Sequence, residues 1–444
     1  MAACGGVLTR LDPALNHSPI PNCSASADAV LEHIRPHSDI VVPLGAGEPV
    51  ALMDAIEAAA ARGDIAGVTV HQMHALHDRP YLHGAYPDRL RHIAYFLSQV
   101  TRPCYLAGTV ELVPNHFSEV YGHIARRAND PLVIASASPP DRHGYFSLGV
   151  TADYTSSFIG RGRFFLEVNS RMPRTFGRNQ IHISQVEGWI SNERELDEAQ
   201  PPALDAVDHT IAGYVADRIA DGACLQTGIG AIPNAIMSAL SHHRDLGVHT
   251  ELLSDGLVDL VEQGVVNGVR KLHNRTKVVG TFALGTRRLY DFLHENTAVE
   301  LWSARYVNDP RLLSRERNFV SINATLSVDF LGQCASETLN GSYYSSSGGQ
   351  VDFARGAMYS EGGQGFIVLH STAKHGSVSR IVPQFAPGEV VTLSKNTVDK
   401  VVTEFGVAEL RAKTVRERTT ALIAIAHPDH RDHLTFEARR LGYM

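Results

Sequence analysis

An apolar run, a glycine turn and an amphipathic helix follow one another twice in this chain, and this repeat most constrains its fold. The first copy, DIVVPLGAGEPVALMDAI at 39–56, contains a GAG turn, with Pro49 near the start of the helix. The second copy begins with ACLQTG at 223–228, continues through a GIG turn and opens a helix at Pro233. Short apolar runs that alternate with amphipathic stretches are typical of α/β architecture. The sequence therefore predicts an α/β protein.

The order of these elements divides the chain into two related halves. Each copy is followed by a further short predicted strand, one from Gly67 and one from Gly247. Between the halves lies the polar, proline-containing stretch NERELDEAQPPALD at 192–205, which is typical of a linker. A chain of 444 residues is long enough for two domains of ordinary size. We predict one domain over 1–195 and a second over 205–444, meeting across a cleft.

One acidic residue of the second copy has no acidic counterpart in the first. In aligned register, Glu251 falls opposite His71. The segment HTELLSDG places Glu251 between a predicted strand and the helix LVDLVEQG, and the ends of strands are where α/β proteins commonly form their sites. A solvated surface glutamate fits the same residues, so both interpretations stay open at this point. If the carboxylate is functional, one half carries the chemistry and the other shapes the cleft.

Three further segments are suited to ligand contact. The GIG turn at 228–230 precedes a helix N-terminus, where N–H groups favour anions, although it lacks the third glycine of a dinucleotide fingerprint and the Gly-Lys-Ser/Thr of a P-loop. The small-residue loop at 341–357 lets backbone N–H groups approach a ligand or a developing oxyanion. The segment 371–383 supplies Lys374 and Arg380 among small polar residues. A tight turn, a flexible loop and a solvated charged loop are the respective alternatives.

Two groups of histidines stand out, but their spacing does not favour a metal site. Side chains three residues apart on a strand point to opposite faces, and neither group fits HExxH or a Cys/His zinc pattern. The chain also has no GxSxG segment, which excludes the usual serine-hydrolase elbow. We therefore predict no metal site. The two groups are His71, His74 and His77, and His427, His430 and His433.

Composition and termini narrow the class of protein. The net charge of -7 does not suggest the basic face of a nucleic-acid-binding protein. The N-terminal residues lack the apolar core of a signal peptide, and the apolar run ALIAIA at 421–426 is too short to span a bilayer. We expect a cytoplasmic protein with neither membrane nor nucleic acid as partner. Its five cysteines are odd in number and form no CxxC pair, which predicts neither a disulfide framework nor a zinc site: Cys4, Cys23, Cys104, Cys224 and Cys334.

Taken together and in this order, motifs along nearly the whole chain resemble those of the acetyl-CoA hydrolase/transferase family. Each motif is weak alone, whereas their combination is specific. Within the family they look most like the 4-hydroxybutyrate and butyryl-CoA:acetate CoA-transferases. The motifs are GAGEP (45–49), SPPDRHGYFSLG (138–149), MPRTFG (172–177), LQTGIGAIPNAI (225–236), HTELLSDGLVDL (249–260), YVNDP (306–310), SINATLSVDFLGQ (321–333), GGQVDFARGA (348–357), STAKHGSVSRIVP (371–383) and VVTEFGVAELRAK (401–413).

The resemblance implies a fold, an assembly and roles for particular residues. It implies two similar open α/β domains of the CoA-transferase type, an active site at their interface, and a homodimer or higher homo-oligomer. Glu251 matches the catalytic glutamate of the family, and Asn323 matches a substrate-binding polar residue near it. The residues that match CoA-binding or oxyanion contacts are Gly228, Ile229, Gly230, Ala231, Ile232, Gly348, Gly349 and Lys374.

Two segments depart from the pattern of the family. PNHFSEV at 114–120 stands where relatives commonly carry a different short loop, and TLSVD replaces a more usual small-polar run after Asn323. Both are candidates for the lining of the acyl pocket. The sequence therefore leaves the identity of the acyl group open.

The implied chemistry is a covalent relay, because CoA must move without loss of its thioester to water. The Glu251 carboxylate attacks the donor acyl-CoA, the thiolate converts the resulting anhydride into a glutamyl-CoA thioester, and the acceptor carboxylate reverses these steps. Acyl-CoA and CoA are then substrates, and no permanently bound cofactor is expected. Two alternatives remain: an acyl-CoA hydrolase using the same site, and a non-enzymatic α/β protein such as a ligand sensor or a translation-factor subunit. The complete Glu251 motif argues against the second.

Overall fold

The computed structural model describes residues 23–228 and 230–444, which form two compact units. The predicted linker contains the point where the chain leaves the first unit, after Ala199. None of the helices in the described ranges combines the length and the apolar character needed to cross a bilayer. The units consist of the chain up to Ala199 with Gly280–Tyr306, and of Gln200–Val279 with Val307–Met444.

The predicted domain limits, 1–195 and 205–444, differ from these units in one segment. Residues Gly280–Tyr306 belong to the first unit, although they follow the linker in sequence. The physical reason is strand pairing, since Val299–Leu301 runs parallel to Phe176–Gly177 and hydrogen bonds with it. The domain limits themselves stay a prediction.

The first unit is built on an eight-stranded sheet in the order β1-β8-β7-β6-β2-β3-β4-β5, with every neighbouring pair parallel. Its central strands are apolar runs without alternation, as expected of a parallel sheet buried on both faces. All six residues of β6 are buried, for example. The strands are β1 Cys23–Ser24, β2 Asp39–Val41, β3 Val68–Gln72, β4 Leu90–Ala94, β5 Val110–Leu112, β6 Leu132–Ala137, β7 Arg163–Val168 and β8 Gly188–Ser191.

The predicted strand, turn and helix at 39–56 are confirmed. Strand β2 leads into a 3₁₀ turn at Gly45–Gly47, and Pro49 caps the helix Val50–Arg62. Gly63 ends this helix in the left-handed region, with φ of 88°. The remaining α-helices of this unit are Thr101–Leu106, Val120–Arg127 and Arg287–Leu293. Its smaller strands are Tyr145–Ser147, Phe176–Gly177, Gln180–His182, Phe282–Ala283 and Val299–Leu301. Its other 3₁₀ turns are Ala27–His33, Pro80–His83, Phe117–Glu119, Thr155–Phe158 and Ile183–Gln185.

The second unit is built on a six-stranded sheet in the order β10-β9-β11-β12-β13-β14. Its pairs are parallel except the last, in which β14 returns antiparallel to β13. As in the first unit, the strand before the glycine turn pairs in parallel with the next strand of the chain. The strands are β9 Cys224–Thr227, β10 Gly247–Val248, β11 Phe319–Ala324, β12 Gln364–Val368, β13 Lys400–Thr403 and β14 Gly406–Glu409.

Helices surround this sheet and confirm the predicted second copy with one shift. The helix after the GIG turn begins at Ala231 rather than Pro233, because Gly230 takes the capping position. A reciprocal capping box between Asp205 and Asp208 starts the helix that precedes β9. The helices are Ala206–Ala216, Ala231–Ala239, Asp255–Glu262, Pro310–Leu313, Gln350–Tyr359, Val415–Ala424 and Pro428–Arg440, with Ala304–Val307 at the limit between the units.

Short strands complete the second unit and shape its loops. The strand predicted from Gly247 is interrupted: it stops at Val248, and Leu252–Leu253 forms a separate strand. Val278–Gly280 lies at the limit between the units. The others are Ser327–Asp329, Cys334–Ala335, Thr338–Leu339, Ser342–Tyr343, Thr372–Ala373, Val378–Ser379 and Ile381–Val382.

Candidate active site

Glu251 lies in the short connection between β10 and the strand Leu252–Leu253 of the second unit. Its side chain is half-buried, and its Oε2 accepts a hydrogen bond of 2.8 Å from Nδ2 of Asn308. The backbone N–H of Gly349 donates a second hydrogen bond to the same carboxylate. A carboxylate held by two donors is oriented rather than free in solvent, which distinguishes Glu251 from an ordinary surface glutamate.

The surroundings of Glu251 also change its acidity. Burial raises the pKa of the carboxyl from 4.5 to about 7, while the hydrogen bonds from Asn308 and Gly349 act in the opposite direction because they favour the ionised form. A carboxylate with a pKa near neutrality is more basic than a solvated one, and about half of it is ionised at pH 7. Such perturbed groups cluster at functional sites, where a nucleophile or base must match the working pH.

Gly349 leaves room for this arrangement because it has no side chain. A Cβ at this position would lie 2.1 Å from Oε2 of Glu251 and 2.3 Å from Nδ2 of Asn308. Gly349 also caps the helix Gln350–Tyr359, so the positive end of the helix dipole lies near the carboxylate. Gly348 next to it adopts φ of 52°, a left-handed conformation that glycine tolerates best.

Asn308 is a site residue that the sequence interpretation missed. It belongs to the YVNDP segment, which supports the family resemblance without indicating a role for the amide. The side chain is fully buried and lies 57 residues from Glu251 along the chain. No local pattern connects two positions so far apart, and only the packing of the second unit brings them together.

The glycine turn at 228–230 is partly committed to the fold. The N–H of Gly228 donates a 2.8 Å hydrogen bond to the carbonyl of Ile322, so this donor continues the pairing of β9 with β11. Gly230 has φ of 121° and caps the helix Ala231–Ala239, in which Ala231 is half-buried and Ile232 is buried. Ile229 lies outside the described residues. The CoA contacts expected of this turn stay a prediction.

Asn323 on β11 takes part in a buried polar group next to the glycine turn. Its Nδ2 donates to Oε1 of Gln226 and to Oγ of Ser321, and its Oδ1 accepts from Nε2 of Gln226. A Cβ on Gly228 would lie 3.2 Å from the Oδ1 of Asn323. Its hydrogen bonds therefore support β9 and the turn, and its role as a substrate-binding residue stays a prediction.

The segment with Lys374 forms a β-hairpin rather than an irregular loop. Thr372–Ala373 pairs antiparallel with Val378–Ser379, and Lys374 lies in the turn with φ of 49° and an exposed side chain. Arg380 follows the hairpin and is half-buried, and burial lowers the pKa of its guanidinium. Lys374 thus offers an exposed positive charge, and its contact with CoA stays a prediction.

In the first unit, His71 occupies the position that corresponds to Glu251, and its side chain forms hydrogen bonds within the fold. His71 on β3 is buried, its Nε2 lies 2.8 Å from Oδ1 of Asp39, and its Nδ1 lies 3.0 Å from the hydroxyl of Tyr95. Both ring nitrogens are therefore engaged within the fold. The acidic group that distinguishes the second half has no equivalent at this position.

The described residues include free cysteines and one group of possible metal ligands. Four cysteines are free thiols, and Cys4 lies outside the described residues. Neither histidine group singled out in the sequence forms a set of converging ligands there. One set of ligand atoms lies within 4.8 Å of each other, on Asp205, Asp208 and His370, but His370 bonds to Asp208 and the two aspartates cap a helix together. The expectation of no metal stays a prediction.

Comparison with protein families gives two matches that cover most of the chain. The model of the acetyl-CoA hydrolase/transferase N-terminal domain matches residues 14–207, and that of the acetyl-CoA hydrolase/transferase C-terminal domain matches residues 285–438. Glu251 therefore lies between the two matched segments, and Asn308 and Gly349 lie within the second.

Known proteins similar to this chain include two CoA transferases and one solved structure. The chain is 46% identical to succinyl-CoA:cyclohexane-1-carboxylate CoA transferase of Geobacter metallireducens, over 90% of this chain and 91% of that protein. It is 40% identical to 4-hydroxybutyrate coenzyme A transferase of Clostridium kluyveri, over 94% and 97%. The crystal structure of RipA from Yersinia pestis matches with a TM-score of 0.91 and 37% identity, over 95% of this chain and 98% of that one.

Proposed function

The chain belongs to the acetyl-CoA hydrolase/transferase family, and from this premise we propose that it is an acyl-CoA:carboxylate CoA-transferase whose nucleophile is Glu251. The observation that carries the proposal is the oriented, half-buried carboxylate with a pKa of about 7. We further propose short-chain acids such as acetate, butyrate or 4-hydroxybutyrate as substrates, in keeping with the names of similar proteins.

The first step forms an anhydride. An oxygen of the ionised Glu251 carboxylate attacks the thioester carbonyl of the donor, a C–O bond forms, and the C–S bond breaks to release CoA as the thiolate. A carboxylate is a weak nucleophile, so its positioning by Asn308 and Gly349 contributes to the rate, as does its raised basicity.

The second step transfers CoA to the enzyme. The thiolate attacks the glutamyl carbonyl of the anhydride, the donor acid leaves as a carboxylate, and a glutamyl-CoA thioester remains. In this step negative charge develops on an oxygen of Glu251 itself, where Asn308 Nδ2 and the Gly349 N–H donate in the resting protein. Donors at an oxyanion typically contribute about 3 kcal/mol each in other enzymes. The acceptor carboxylate then runs the two steps in reverse.

This proposal treats CoA as a substrate that enters and leaves, with no resident cofactor. The proposed CoA contacts are residues 228–232, Gly348, Gly349 and Lys374, and Asn323 is a proposed contact of the acid. A homodimer or higher homo-oligomer is the proposed assembly, on the basis of the family resemblance.

The test is chemical capture of the intermediate. Incubation with butyryl-CoA alone, followed by borohydride, should reduce the glutamyl-CoA thioester to an alcohol at residue 251, as identified by peptide mass spectrometry. Initial rates with both substrates varied should give parallel double-reciprocal lines. Glu251→Gln is the matched control and should show neither reduction nor transfer. An unmodified Glu251 together with intersecting lines would overturn the proposed mechanism.

Water as final acceptor is the remaining alternative for the same site. Release of free CoA thiol from butyryl-CoA, measured with and without acetate, separates the two activities. Transfer requires acetyl-CoA to appear as butyryl-CoA disappears. If acetate does not change the rate of thiol release and no acetyl-CoA forms, the enzyme is a hydrolase.

A further inference from the structure

Three buried polar atoms, on Asn308 and on two residues close in sequence to Gly349, have no hydrogen-bond partner within the described chain. They are Oγ of Ser346, Nε2 of Gln350 and Oδ1 of Asn308, on residues that are 4%, 7% and 0% exposed. The great majority of buried polar atoms in folded proteins are paired, and each exception calls for an explanation. A substrate group that enters during the reaction would supply the missing partners.

All three residues are connected to Gly349, two of them through the sequence and Asn308 through space. Ser346 and Gln350 flank the Gly348–Gly349 pair in sequence, and a Cβ on Gly349 would come within 2.3 Å of the Asn308 amide. Asn308 uses its Nδ2 for Glu251 and therefore presents Oδ1 elsewhere, since an ionised carboxylate requires the amide nitrogen to face it. One unpaired atom thus belongs to a residue that holds Glu251, and the other two belong to the loop and helix start on either side of its second donor, Gly349.

The types of these atoms restrict the ligand. Ser346 Oγ and Gln350 Nε2 can donate, whereas Asn308 Oδ1 can only accept. A carboxylate or a phosphate offers acceptors alone and would leave Asn308 Oδ1 unpaired. A secondary amide offers one carbonyl to accept and one N–H to donate, so it satisfies both kinds of atom.

Coenzyme A carries such an amide close to its reacting end, two methylene groups from the sulfur. We propose that Ser346, Gln350 and Asn308 form a subsite for this pantetheine amide, with its carbonyl accepting from Ser346 and Gln350 and its N–H donating to Asn308 Oδ1. The subsite fixes the position of the sulfur relative to Glu251, because only two methylene carbons join the sulfur to the anchored amide. This inference rests on the proposed CoA-transferase function.

The test pairs variants of the subsite with donors that keep or lose the amide. Ser346→Ala and Gln350→Met remove one donor each at similar volume. The donors are butyryl-CoA, the butyryl thioester of N-acetylcysteamine, which keeps this amide, and the butyryl thioester of ethanethiol, which lacks it. We expect each variant to lower kcat/KM about tenfold with the first two donors and to leave it unchanged with the third. The butyryl group has no hydroxyl, so no effect can arise from the acyl chain.

Ser345→Ala is the matched control, because its Oγ already donates to the carbonyls of Ser336 and Ser346. This variant should affect the three donors equally. An equal loss with all three donors in Ser346→Ala and Gln350→Met would overturn the subsite and leave the transferase function intact. Absence of transfer in the wild type would instead overturn the function.

A second measurement does not depend on turnover of the truncated donors. The infrared band of CoA labelled with carbon-13 at this amide carbonyl reports hydrogen bonding in the bound state. Its frequency in the wild-type complex should differ from that in Ser346→Ala and Gln350→Met, and should match that in Ser345→Ala. The same frequency in all four complexes refutes the subsite.

Discussion

Replacement of Gly349 by alanine tests the geometry around the nucleophile directly. The backbone of Gly349 has φ of -94° and ψ of 2°, which alanine adopts without strain, so the substitution acts through the added methyl group alone. That Cβ would lie 2.1 Å from Oε2 of Glu251, whereas real Cβ contacts essentially never fall below 3.0 Å. The carboxylate must therefore move by about 1 Å, the difference between these distances.

A displacement of this size has a known order of effect on catalysis. Misplacement of a reacting group by about 1 Å can lower the rate ~100-fold, which corresponds to about 2.7 kcal/mol in the activation barrier. The Asn308 amide is also displaced, because the same Cβ would lie 2.3 Å from its Nδ2. We expect Gly349→Ala to lower kcat for CoA transfer at least ~100-fold.

The assay is formation of acetyl-CoA from butyryl-CoA and acetate, with the melting temperature measured on the same samples. Gly213→Ala is the matched control, because that glycine lies within the helix Ala206–Ala216 and an added Cβ meets no atom within 4 Å. It should keep wild-type activity and gain about 0.5–1 kcal/mol of stability. A folded Gly349→Ala protein with activity within twofold of wild type would refute the assignment of Glu251 and its neighbours as the reacting centre.

Three further predictions concern Glu251 and Asn308. The value of kcat/KM should fall as the pH drops below about 7, because the raised pKa of Glu251 means that the carboxyl is protonated there and cannot attack; a profile that is flat between pH 5 and 8 contradicts this. Asn308→Leu should lower kcat about 100-fold, because it removes a donor to the developing oxyanion, and should move this acidic limb to higher pH, because the same donor favours the ionised carboxylate. The same variant should melt close to the wild type, because the apolar side chain replaces a buried acceptor without a partner, and a large loss of stability would argue for a structural role. Glu251→Asp should lose transfer about 100-fold, since the carboxylate withdraws by about 1 Å, and is expected to gain hydrolysis of acyl-CoA by acting as a general base on water; near-normal transfer in this variant would exclude residue 251 as the nucleophile.

Local elements were predictable because local residues form them. The apolar run, glycine turn and proline at 39–56 specify strand β2, its turn and the following helix, and the structure confirms all three. The short strand predicted from Gly247 is present, and it ends at Val248. The N–H of His249 still donates to the carbonyl of Leu225 on β9, but the N–H of Thr250 donates to the carbonyl of Val279, so the backbone pairing with β9 stops before Glu251.

The candidate site divides in the same way between local and distant information. Glu251 was identifiable because the motif around it is contiguous and specific to a family. Asn308 and Gly349 were not identifiable as its hydrogen-bond donors, since nothing in either segment points to residue 251. Gly228 shows the opposite case. A glycine turn suggests a backbone N–H that is available to a ligand, but the N–H of Gly228 donates to the carbonyl of Ile322 within the sheet.

The sequence by itself determined the α/β class, the two related halves, the family and the position of the carboxylate. Periodicity, turn residues and motifs report on neighbours along the chain, and these features depend on neighbours. Only the tertiary structure decided that Glu251 is desolvated, that Asn308 and Gly349 hold it, and that Gly280–Tyr306 joins the first unit. The acidity of a carboxyl depends on the burial and the donors around it, and these come from residues that approach one another only when the sheet and its helices have packed.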